Sequence, residues 1–277
     1  MTIKTRNRIN IVFTCIAIVI TVLQSALLIY QLVTNNLIFP KVYNKNNSDL
    51  FIFSYKPIFV IIGVFMLDLY VIISSILIQI NFEKTQSTEI VFILIFLIAC
   101  ICDSTRILVP LLKVADTYSR LLMHVAFVPL FARFLAPLSI LGTTVLSDES
   151  ARHNVDRNFV FIIITSLFFA KLVPFNTAVI FPNFCISYGY TNIIRFSSFF
   201  ICIAGLSALF LNNRKNKTDQ KTTIGLALLS TGYSAMFYCY NLVHLIFGSL
   251  LLVGGSYLYL RNLHRQYLWS DDNYNDM

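Results

Sequence analysis

Five ionisable side chains stand inside apolar stretches of this chain: Asp68, Asp103, Arg106, Arg133 and Lys171. Acids and bases in that setting can hold an ion or a charged solute, pass protons, or neutralise one another. Each costs roughly 2.5–3.5 kcal/mol at the centre of a membrane helix, so they are expected to face the protein interior and to pair. Asp103 and Arg106, in "CICDSTRILVP", have the i,i+3 spacing that puts two side chains on one helix face. One reading is a self-neutralised pair that lets its helix insert. The other is a ligand or ion-pair cluster of Asp68, Asp103, Arg106 and Lys171, joined by Arg133. Two acids facing three bases leave one formal positive charge, which requires a neutral lysine or an anionic group from a ligand or lipid.

Other residues carry weaker chemistry. His124 is a candidate for a proton path, in competition with a plain hydrogen bond to a backbone carbonyl. In "YLRNLHRQYLW", Arg261, His264 and Arg265 beside Trp269 suit a helix end at the cytoplasmic interface or a docking point for a partner protein. Pro110, Pro137 and Pro174 each withhold an N–H and free a carbonyl, as at a kink or a water-lined cavity. The six cysteines are scattered. Cys100 and Cys102 point in nearly opposite directions on a helix, so neither a metal site nor a disulfide framework follows. No His-Glu-x-x-His, Gly-x-Ser-x-Gly or phosphate-binding Gly-rich motif occurs, and the three glutamates lie at span ends or in loops. The reading therefore leans away from an enzyme, and no cofactor or metal is expected.

The elements that must position these residues are membrane helices. The chain has 277 residues, 57% hydrophobic and 12% charged, with a mean hydropathy of +0.74. Soluble domains carry about 25% charged residues, and several runs here exceed the roughly 18 apolar residues that mark a membrane helix. The fold class is an all-α polytopic transmembrane bundle, a single membrane domain over 1–277. Spans are expected near 10–33, 57–80, 90–112, 121–146, 159–181, 192–211, 223–240 and 242–260, with a short polar cytoplasmic tail at 261–277. The first run is longer than the 7–15 apolar residues of a cleaved signal and reads as a retained span. As one helix, 223–260 would be about 57 Å long against a hydrocarbon core of about 30 Å. A turn near Tyr240, Asn241 and His244 would divide it.

Seven spans remain the alternative, and charge arbitrates. With eight, 12 of the 18 Lys and Arg outside the spans fall on one side and six on the other, against 10 and 8 with seven. The positive-inside rule favours eight, with both termini cytoplasmic. On that register the five interior charges come out near one level. The formal charge of +8 belongs to loops that set orientation and does not signal nucleic acid. The basic loop with Arg214, Lys215, Lys217 and Lys221 should lie against anionic lipid heads. The small residues of "GLALLSTGYSA" would let the seventh span pack closely in the bundle's centre.

The leading functional expectation is a small permease or binder of a small solute, ion or lipid head at the intramembrane polar cluster. A membrane sensor or accessory subunit of a larger complex, with a protein partner or a homo-oligomer, is the alternative. A lipid-modifying enzyme using Asp103, His124 and Lys171 comes third. The Asn-, Ile- and Lys-rich composition points to a bacterial cytoplasmic membrane.

Overall fold

The computed structural model describes residues 2–35, 37, 39, 54–85, 87–112, 119–145, 155–215 and 220–275. For 119, 178, 215 and 266–275 the description is of the backbone alone. The described residues form helices α1 (Ile3–Val33), α2 (Pro57–Phe82), α3 (Glu89–Leu111), α4 (Ser119–Val145), α5 (Val155–Leu172), α6 (Thr191–Lys215), α7 (Lys221–Phe237) and α8 (Leu242–Asn275). A short antiparallel hairpin, β1 (Phe175–Ile180) with β2 (Ile186–Tyr188), joins α5 to α6. Among the described residues six helices (α1 to α4, α6 and α8) are long and apolar enough to cross a membrane. Of the other two, α7 has 17 residues and spans about 26 Å, while α5 has 18 and carries Asp156, Arg157 and Lys171.

Local sequence explains the boundaries that matter for the site. The Thr2 hydroxyl caps α1 by accepting from the Thr5 N–H, and Pro57 opens α2 where its missing N–H costs nothing. Within α3, Pro110 cannot donate to the carbonyl of Arg106, and the helix tightens into a 3-10 turn over Thr105–Ile107. The charged pair "DSTR" thus sits where α3 narrows. The expected helix break in 223–260 occurs at 238–241, next to Tyr240, Asn241 and His244. Asn241 Oδ1 accepts the His244 N–H at 2.9 Å, capping the start of α8.

The bounds of the fifth span need correction. The fifth span does not run through 181: α5 stops at Leu172, and Phe175–Ile180 is a strand. A residue before proline is pushed out of helical geometry, so Pro174 ends the helix at Val173. The Pro174 carbonyl then accepts the Gly189 N–H at 2.8 Å across the hairpin, with no cavity needed to satisfy it. After 260, α8 continues as helix to Asn275.

The helices alternate in direction. Arg6, at the start of α1, donates to the carbonyls of Phe82 and Thr85, and Phe82 meets the His264 ring edge-on. At the opposite end Gln31 donates to the Leu111 carbonyl, and the Lys56 N–H reaches the Tyr240 carbonyl. The α3 helix is the core element, with most of its residues from Ile90 to Leu111 buried. The outside is as apolar as the inside: Val19, Phe161, Phe196 and Leu250 are each more than half exposed. Contiguous surface of that kind is rare on soluble monomers and suits lipid. The chain is an apolar helical bundle of the membrane-protein type.

Candidate functional site

The buried polar cluster is built around a helix end. Because α7 stops at Phe237, its last carbonyls lack intrahelical donors and carry the negative end of the helix dipole. Arg106, on α3 and fully buried, supplies them. Its Nη1 donates to the Phe237 carbonyl at 2.7 Å and its Nη2 to the Met236 carbonyl at 2.9 Å. Asn183, from the hairpin turn, donates to the same Phe237 carbonyl at 3.0 Å. The i,i+3 ion pair exists but is loose, with Arg106 Nη1 3.7 Å from Asp103 Oδ2. The guanidinium fork therefore caps α7 first and balances Asp103 second.

Arg133, on α4, completes a cation–aromatic stack. Its guanidinium lies 3.5 Å from the Phe237 ring centroid and 5.2 Å from that of Tyr238, whose hydroxyl accepts from Nη2 at 2.8 Å. Arg106 approaches the same Phe237 ring at 5.4 Å, and Arg195 of α6 approaches Tyr238 at 5.1 Å. Three cations are thus held by two consecutive aromatic residues; such contacts are worth about 2 kcal/mol for the buried Arg106 and Arg133 and about 0.5–1 kcal/mol for the exposed Arg195.

Deeper in the bundle lie Asp68 of α2 and Asp103 of α3, both fully buried. None of their four carboxylate oxygens receives a hydrogen bond. Ser104 adjoins Asp68, but its one hydroxyl proton goes to the Ile101 carbonyl at 2.9 Å. Gln24 of α1 turns its amide nitrogen toward Ser104 Oγ at 3.5 Å, and its own Oε1 is also buried without a partner.

A pocket of about 640 Å³ opens at the hairpin end of the bundle. Tyr55, Asn183, Tyr188, Arg195, Phe237, Tyr238, Tyr240 and His244 line it. Its floor is therefore the α7 terminus that Arg106 and Arg133 hold from below. A second cavity of about 500 Å³, lined by Arg133, Tyr233 and Ser234 among others, shares Arg195 and Tyr238 with the first. Burial pushes the Tyr55 phenol up to about 12. Burial, opposed by nearby Arg106, pushes the Cys185 thiol up to about 12 as well. The Tyr55 phenol is neutral at physiological pH, and among the described lining residues Arg195 is the cation.

Four of the five expected cluster residues (Asp68, Asp103, Arg106 and Arg133) are brought together. Lys171 is not: it sits exposed in the last turn of α5, where a cation complements the helix dipole. Without it the buried cluster holds two acids and two bases. His124 is exposed and bonded at 2.7 Å to the Arg120 carbonyl of its own helix, apart from the cluster. Arg261 donates to Tyr257 one turn away, and His264 lies against Phe82. Arg265 is exposed, and the Trp269 side chain lies outside the described residues. In the basic loop Arg214 and Lys221 are exposed, the Lys215 side chain is not described, and Lys217 lies outside the described residues.

The pocket residues Asn183, Tyr188, Arg195 and Tyr238 were not expected from sequence. Their signal was the "FPNF" turn followed by Gly189, a hairpin motif inside an apolar run. No family model, curated protein or solved structure matches the chain.

Proposed function

We propose that the chain is a small membrane permease or binder that takes a small anionic solute, or the anionic head of a lipid, into the pocket beneath the hairpin. The observation that carries this reading is the pocket itself. Its volume lies within the roughly 300–1,000 Å³ of small-molecule sites. Its described lining combines the Arg195 guanidinium with tyrosine hydroxyls and the Asn183 side chain. Aromatic faces and a guanidinium suit a planar or phosphate-bearing anion.

The reading includes eight crossings with both termini cytoplasmic, in a membrane of the bacterial cytoplasmic type. The uneven distribution of Lys and Arg supports that topology, and anionic lipids would meet Arg214, Lys215, Lys217 and Lys221 on the same side. Thermal unfolding of the purified protein, titrated with inorganic phosphate and separately with short-chain phosphatidylglycerol, tests the ligand class. A ligand at 100 times its Kd stabilises by about 2.7 kcal/mol. A saturable rise in Tm with either probe, lost in Arg195→Gln, is expected. No rise with either probe contradicts the anion reading.

A further inference from the structure

We propose that Asp68, Asp103, Gln24 and Ser104 form a buried cation site occupied by a proton carried on Asp68. The inference does not depend on what the hairpin pocket binds.

Five oxygen atoms of this group, Gln24 Oε1 and the four carboxylate oxygens, are buried and receive no hydrogen bond. Gln24 is only 2% exposed and both aspartates are fully buried. An ionised carboxylate in that position would keep its full desolvation cost with nothing returned. Asp103 has a counter-charge, since Arg106 stands 3.7 Å away. For Asp68 both carboxylate oxygens are without a hydrogen-bond partner, and the neighbouring Ser104 hydroxyl donates to the Ile101 carbonyl at 2.9 Å. One proton resolves the conflict. It turns one Asp68 oxygen into a donor, and Gln24 Oε1 is a buried acceptor of the same group that has no donor.

A metal ion fits this group less well. Only two carboxylates are present, and Arg106 already places a positive charge on Asp103. The charged and titratable groups around Asp68 come from three helices. They are Cys100, Asp103 and Arg106 of α3, Arg133 of α4, and Tyr233 of α7, the last two facing Asp103. Gln24 is the α1 contribution, and α8 places Ser256 on Tyr70 of α2.

Infrared spectroscopy of the protein in lipid at neutral pH tests the assignment, with aspartate carrying 13C in its carboxyl group. Solvent-exposed aspartates are ionised there, so a protonated-carboxyl band that moves with the label reports a buried aspartic acid. The expected result is that band in the wild type, retained in Asp103→Asn and lost in Asp68→Asn. Should Asp68→Asn fail to accumulate as folded protein, the wild type and Asp103→Asn alone carry the test. Absence of the band from either overturns the proposal, as does a band that survives Asp68→Asn. A band seen only when sodium is replaced by choline assigns the site to a metal ion and overturns the proton.

Discussion

At the scale of single residues, Arg106 binds two elements that lie far apart in sequence. It satisfies two carbonyls at the end of α7 and offsets Asp103 on its own helix. Truncating one partner of a buried charge pair costs about 3–5 kcal/mol, and hydrogen bonds made by a charged group add about 1.5–3 kcal/mol. Arg106→Leu should therefore lower Tm sharply or prevent accumulation. The double variant Arg106→Leu with Asp103→Leu should be less damaged than the additive expectation, because it removes the stranded carboxylate; a thermal-unfolding double-mutant cycle measures the difference. Asp68→Asn mimics the protonated acid, so phosphate stabilisation should persist in it while Arg195→Gln loses the effect. The i,i+3 pairing was legible in "DSTR", but the capping role was not. Helix-end carbonyls are the same in every sequence, and nothing local marks the residue 130 positions away that will reach them.

At the scale of elements, the pocket exists because the last apolar stretch is two helices and the fifth is a helix followed by a hairpin. The first division was legible from length, since 38 residues overshoot a bilayer core of about 30 Å. The second was missed because 159–181 is predominantly apolar, and apolarity alone does not separate helix from buried strand. That error also misplaced Lys171, which was counted as mid-span and is in fact at a helix end.

Close approach holds α7 to α8. A Cβ at Gly232 would stand 2.6 Å from the Leu252 nitrogen, and one at Gly255 2.6 Å from that of Leu229. Overpacking of this kind costs about 1–3 kcal/mol or more. Gly232→Leu should lower Tm by more than the same change at Gly254, where an added Cβ meets nothing within 4 Å. The hairpin gives a chemical check on its burial. With its thiol held near 12, Cys185 stays protonated at pH 7.5 and should resist a water-soluble maleimide in the folded protein, then react once denatured. Ready labelling of the folded protein would show that the hairpin does not cover the α7 end.

At the scale of the whole molecule, the bundle is apolar on its outer face and through most of its core, and the pocket with the arginines beneath it lies toward the hairpin end. Broad class was fully legible from composition, because a chain 57% hydrophobic with half-exposed Val, Phe and Leu on several helices has no aqueous solution. On the proposed topology, a reporter that fluoresces only in the cytoplasm, fused after Met277, should be bright, and a dark fusion contradicts two cytoplasmic termini. The polar residues at the hairpin end then face outward across the membrane, with Asp68 and Asp103 stacked below Arg106. The most direct measurement is a high-resolution map of the protein purified in its native lipid. The account predicts non-protein density in the pocket, within contact of Arg195 and Tyr238. A pocket holding only ordered water, or closed by its own side chains, would contradict it.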